Sequence, residues 1–120
     1  MFKLELPYPI SVNRYWKFWR NQPRVSKEAR AYKIAVAAIA IEHGVTVIDG
    51  DVAIAFVLHP KMTKGGVASR TRMDLDNAQK VAIDALNGVA YIDDKQIVDI
   101  RMTLGAAMQG GGLSVWVGKK

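Results

Sequence analysis

The chain has no cysteine among its 120 residues, which excludes disulfides, thiolate zinc sites and thiol nucleophiles. Histidine is nearly as scarce. His43 and His59 are the two present, and they fit neither metalloprotease nor zinc-finger spacing. No charge-free run approaches membrane-spanning length. The opening Met-Phe-Lys-Leu-Glu-Leu-Pro, with its early Glu5 and Pro7, is not a signal peptide, so the expected compartment is the cytoplasm. Three ligand motifs are also missing. Gly118-Lys119 lacks the upstream glycine and the following Ser/Thr of a phosphate loop. No Gly-x-Ser-x-Gly elbow occurs. Asp74-x-Asp76-x-Ala78 has alanine at the fifth position of a would-be calcium loop, without its glycine or final glutamate.

Acidic residues are scarce where basic ones abound. In the N-terminal third, Lys3, Arg14, Lys17, Arg20, Arg24, Lys27, Arg30 and Lys33 face only Glu5 and Glu28. A second acid-free stretch carries Lys61, Lys64, Arg70 and Arg72, and the net charge is +6. Such a surface attracts polyanions, nucleic acid foremost. The acids gather later, at Asp74, Asp76, Asp84, Asp93, Asp94 and Asp99. Carboxylates that draw a divalent cation, on a surface that draws phosphates, suggest metal-dependent chemistry on nucleic acid.

Half the residues are hydrophobic, and the length suits one domain, residues 1–120, around one core. Phe2 to Leu6 alternates as a strand does and ends at Pro7. Ser11 to Arg24 reads as a loop rich in aromatics and arginine. Ser26 is placed to cap a helix running to about His43, stopped by Gly44. Asp51 to His59 reads as a strand covered on both faces, and a basic, glycine-containing loop fills 60–73. A second helix is expected over about Asn77 to Asn87. Gln96 to Leu104 and Leu113 to Val117 read as strands joined as a hairpin by the Gly-rich 105–112. The order β-α-β-α-β-β predicts an α/β (α+β) domain with a mixed sheet of about four strands and two main helices.

Asp74 and Asp76 share a side only if Met73 to Asp76 is extended. Asp76 as N-cap and Gln79 at N3 would make a capping box there. Ala78, Val81, Ala82, Ala85, Leu86 and Val89 then form an apolar stripe, with Asp76, Asn77, Lys80 and Asp84 opposite and Ile83 out of place beside them. The return toward Asp93-Asp94 is short enough to bring a third carboxylate toward Asp76. Three carboxylates suffice for one or two Mg²⁺ ions, and Lys80 lies one turn beyond Asp76. Taken singly, Asp76 reads equally well as a cap, Lys80–Asp84 as a solvated pair and Asp93-Asp94 as a turn.

The segments Asp74-Leu75-Asp76-Asn77-Ala78-Gln79-Lys80-Val81-Ala82-Ile83-Asp84-Ala85-Leu86 and Tyr91-Ile92-Asp93-Asp94-Lys95-Gln96-Ile97-Val98-Asp99 resemble the core of the RusA family of Holliday junction resolvases. Leu6-Pro7-Tyr8-Pro9-Ile10-Ser11-Val12-Asn13-Arg14-Tyr15 is similar to that family's opening Pro-x-Pro-Ser-x-Asn. The resemblance covers nearly the whole chain. It implies a homodimeric, Mg²⁺-dependent endonuclease, with Mn²⁺ as a substitute, that cuts four-way DNA junctions symmetrically. It places the catalytic acids at Asp74, Asp76 and Asp94, the essential lysine at Lys80, and an additional ligand at Asp93. Asn13, Arg14, Lys17, Lys64, Arg70 and Arg72 are the expected DNA contacts. The Lys64-Gly65-Gly66 stretch and the sparser arginines before Asp74 depart from the family pattern. Two rival readings are a non-catalytic DNA-binding accessory module and a metal nuclease acting on flaps, linear duplex or RNA.

Overall fold

The computed structural model describes the backbone of residues 1–11, 16–19 and 22–120, and the side chains of 1–11 and 24–120. In chain order the elements are β1 (Phe2–Leu6), β2 (Trp16–Trp19), β3 (Gln22–Val25), α1 (Lys27–Glu42), β4 (Val52–His59), α2 (Leu75–Leu86), a 3₁₀ turn (Asp94–Gln96), β5 (Ile97–Leu104) and β6 (Gly112–Lys119). The expected α+β plan of two helices and a four-stranded mixed sheet is present. The stretch expected as a loop before Ser26 instead carries an antiparallel pair, β2 with β3.

The sheet runs β1-β6-β4-β5. β4 is parallel to β5 and antiparallel to β6, and β6 is antiparallel to β1. The hairpin expected between β5 and β6 is therefore not formed, because β4 lies between them. The apolar run of β4 explains this. As an edge strand it would leave backbone groups and apolar side chains unpaired on one side. The 105–111 connection instead crosses the end of β4, where Gly105 N–H donates to Leu58 O at 2.9 Å. A Cβ at Gly105 would stand 2.5 Å from Val57 Cγ1, so the crossing needs glycine.

Register aligns three apolar rows on the core face: Phe2–Val117–Ile54–Ile100, Leu4–Val115–Phe56–Met102 and Leu6–Leu113–Leu58–Leu104. Both helices pack on that face. Every expected stripe residue of α2 from Ala78 to Leu86 is buried, as are Tyr32, Val36 and Ala40 of α1. The other face of β4 presents half-buried Ala53, Ala55, Val57 and His59. The strand is thus covered on one face, not both. Ser26 caps α1 as expected, its Oγ accepting the Ala29 N–H at 3.1 Å. Tyr32 Oη donates to Pro7 O at 2.7 Å and ties α1 to the exit of β1.

Candidate active site

The polypeptide leaves β4 through Pro60 and returns as an arm closed by its own ladder. Met62 bridges Ala68, Thr63 N–H donates to Val67 O at 2.7 Å, and the tip at Gly66 turns through φ +80°. Lys64, Arg70 and Arg72 are exposed on this arm. Lys61 at its base lies 5.2 Å above the Tyr8 ring, a cation–π contact. Tyr8 Oη accepts the Met73 N–H at 2.9 Å, fixing the residue before Asp74 to the exit of β1.

Helix α2 therefore starts earlier than the sequence spacing predicts. Asp74, not Asp76, is the N-cap, extended at φ −64°, ψ 146°, with its carbonyl accepting the Ala78 N–H. Its carboxylate makes no cap hydrogen bond. Asp76 is already helical, so the expected capping box with Gln79 is absent and the extended run stops at Asp74. Both acids are exposed at the positive end of the helix, where negative charge is favoured. Lys80, also exposed, stands one turn beyond Asp76.

A capping box does occur, one segment later. Asp93 Oδ1 accepts the Lys95 N–H at 2.9 Å, and Gln96 Oε1 reaches back to the Asp93 N–H at 2.9 Å. The Lys95 N–H, and next a side-chain contact with Asp94, hold the Asp93 carboxyl below its ordinary range. Burial, and then the negative charge of Asp94, push the Asp84 carboxyl up. The Tyr91 hydroxyl is likewise raised, chiefly by burial and then by Asp94 and Asp84. It donates to Ile83 O at 2.6 Å, locking the turn to α2. Ile83, out of place on the helical wheel, is half-buried and packs against the core.

Asp74 and Asp76 lie at the start of α2 and Asp84 in its last turns, while Asp94 follows in the 3₁₀ turn, its charge felt at Asp84. Asp76, Lys80 and Asp84 follow at successive turns on one stripe spanning about 12 Å along the axis. Among the described residues, no three His, Cys, Asp or Glu side chains converge closely enough to hold one metal ion. The donors that cluster are oxygen-only, which suits a hard cation. Burial, and then the charge of Asp94, disfavour the ionised form of Asp84, and a cation nearby would favour it. Asn13 and Arg14 lie outside the described residues, as does the side chain of Lys17. Spacing alone makes Asp84 the partner of Lys80 in a solvated pair and marks no role for Tyr8, Tyr91 or Gln96. The Asp-x-x-Gln spacing of Asp93 and Gln96 was the available signal for Gln96.

A family model described as endodeoxyribonuclease RusA matches residues 7–117. The chain is 34% identical over 117 residues to the crossover junction endodeoxyribonuclease of Escherichia coli K12, covering 97% of this chain and 92% of that one. It is 32% identical to the proteins of the same name from Shigella sonnei and from Enterobacteria phage 82, with the same coverage of each chain.

Proposed function

Since the chain belongs to the RusA family of endodeoxyribonucleases, we propose that it resolves Holliday junctions by paired, symmetric cuts. Asp74, Asp76 and Asp94 supply the acidic groups and Lys80 the cation. The carrying observation is the acid–lysine–acid stripe of α2, which lies inside the matched region of an otherwise basic chain.

Asp74, Asp76 and Asp94 would hold Mg²⁺, or Mn²⁺ in its place, and would have to draw together to do so, with Asp93 at the margin because its carboxylate is engaged in the cap. Held there, the ion would supply activation of water and neutralisation of charge at the scissile phosphate. The protein's own residues do the rest. Lys80 projects a flexible ammonium from the middle of the stripe and stabilises negative charge on the phosphoryl oxygens. The uncapped Asp74 carboxylate is available to orient the attacking group. Lys64, Arg70 and Arg72 bind backbone phosphates on the arm that leads into Asp74, joined by Lys17, Arg14 and Asn13 from the N-terminal segment. Cutting two opposed strands requires two sites related by a two-fold axis, so the working unit is a homodimer. Its place of action is the cytoplasm, where the DNA is. No helix among the described residues is long and apolar enough to cross a membrane.

The test is incubation of the protein with an end-labelled synthetic four-way junction and Mg²⁺, with linear duplex as competitor. Paired nicks at symmetric positions, unaffected by excess duplex, are expected. Well-folded protein that cuts nothing with Mg²⁺ or Mn²⁺ would sink the reading. Equal cutting of duplex would move it to a nuclease of another substrate.

A further inference from the structure

We infer that Gln96 is a positioning residue of the reaction, fixing the turn that carries Asp94 through a side-chain amide that joins this turn to the loop before β4. The inference rests on the reading of Asp94 as a site carboxylate. Gln96 Oε1 accepts from Ile92 N at 2.8 Å and Asp93 N at 2.9 Å. Its Nε2 donates to Ile48 O and to Gly50 O, both at 2.8 Å. Two lone pairs and two hydrogens exhaust the capacity of an amide. The left-handed turn at Gly50, φ +89°, lies where the loop presents the Ile48 and Gly50 carbonyls to one side chain. Ile48 is also tied to the turn by its N–H, which donates to Ala90 O at 2.9 Å.

An ordinary capping box does not require all this. Its third residue needs only an acceptor oxygen, and glutamate serves as well as glutamine. The two Nε2 bonds are additional. They reach back 48 and 46 residues to the approach of β4, and only an amide can make them while still accepting from Ile92 and Asp93. Asp94 lies between the cap residue and this anchor, within the 3₁₀ turn itself. With Asp93 committed to the cap, the orientation of Asp94 is set by the turn that Gln96 pins.

Gln96→Glu separates the two roles. It keeps the cap acceptor and sets a carboxylate oxygen against two carbonyls. Partners that orient the ligands of a metal commonly contribute 10–100-fold in activity or metal affinity. The single-turnover cleavage rate of a labelled four-way junction should therefore fall about 10–100-fold in Gln96→Glu. The Mg²⁺ needed for half-maximal rate, and for the Mg²⁺-induced rise in Tm, should increase. Junction Kd in EDTA should stay within about twofold, since partners of this kind act on the metal site and not on phosphate contacts. Amide exchange at Ile92 and Asp93 in metal-free protein should remain slow, because the cap persists. If Gln96→Glu does not fold, Gln96→Asn, one methylene short of the anchor, takes its place in the same assays. A wild-type rate and Mg²⁺ requirement overturns the inference, and so does a rate loss that only tracks the folded fraction. Asp94→Asn is measured in parallel. If Asp94→Asn is inactive and Gln96→Glu is normal, positioning fails alone. If Asp94→Asn cuts normally, the reading of Asp94 fails and the inference goes with it.

Discussion

At the start of α2, Asp74 and Asp76 are exposed, and the N-cap carboxylate of Asp74 makes no cap bond. Beyond the other end, Asp93 is bound into a capping box, while the half-buried Asp84 carboxyl is raised first by burial and then by the charge of Asp94. The same side chain thus does two jobs. A carboxylate satisfied by backbone N–H groups organises the fold and has little left to offer a cation. A carboxylate left to solvent or crowded by its own kind contributes little to folding and gains from a cation. On this contrast, the start of the helix and Asp94 carry the chemistry, and Asp93 carries the turn.

The largest expected effect breaks the contrast at its exposed end. Asp76→Asn, or Asp74→Asn, should reduce junction cleavage by at least about 100-fold, the scale of losing a preorganised electrostatic partner. Either should leave stability within about 0.5 kcal/mol, the scale of a helix-dipole contribution; cleavage and melting assays together check this. A variant that loses fold and activity equally would erase the distinction between the two ends. Lys80→Met should slow single-turnover cleavage by roughly 100-fold at unchanged junction affinity. Replacing Arg70 or Arg72 by Gln should weaken binding to junction and duplex alike, and lower the salt slope of binding by about one each.

Smaller effects sharpen the comparison within the acidic end, read as thermal stability against pH in EDTA. The Asp84 carboxyl is raised. Its favourable contribution is present below the ordinary carboxylate pKa and is lost as pH rises through the folded value. Asp84→Asn should therefore raise Tm at neutral pH and flatten the profile just above the ordinary carboxylate range. The Asp93 carboxyl is lowered. Its contribution is present above the ordinary pKa and disappears as pH falls through the depressed value. Asp93→Asn should lower Tm at neutral pH and flatten the profile just below that range. Shifts of the same sign would refute the division of labour. Tyr91→Phe, which removes the donor to Ile83 O, should cost about 1 kcal/mol.

Alternation and helical spacing were enough to read part of the core. Leu4 and Leu6 and the stripe from Ala78 to Leu86 are buried where periodicity puts them, because side-chain period is a local property; the unbroken apolar run of β4 carries no such period, and its one buried face, Val52, Ile54, Phe56 and Leu58, is set by the sheet. Strand order was not local. The Gly-rich 105–112 satisfies the pattern of a hairpin turn, and only the demand of β4 for a partner on each side decides otherwise. The capping box shows the same limit. Asp76–Gln79 and Asp93–Gln96 match one pattern equally well. The choice is made by Tyr8, which binds the Met73 N–H and so sets where the extended run ends. The contact spans 65 residues, beyond any local rule. The acidic residues of the site were legible as a charge anomaly, but the engagement of Asp93 in a cap, which leaves Asp94 as the neighbouring acid, was not.

The basic arm has a consequence for how such a protein can change. Its ladder closes at Met62–Ala68, below the Lys64-Gly65-Gly66 tip, and its return is fastened at Met73 to Tyr8. Residues added to or removed from the tip alter what extends into solvent and leave the backbone at Asp74 where it is. Loop length adds little to closure entropy, so such insertions are thermodynamically tolerable. The arm is a module whose reach can drift over generations while the chemistry behind it stays in register.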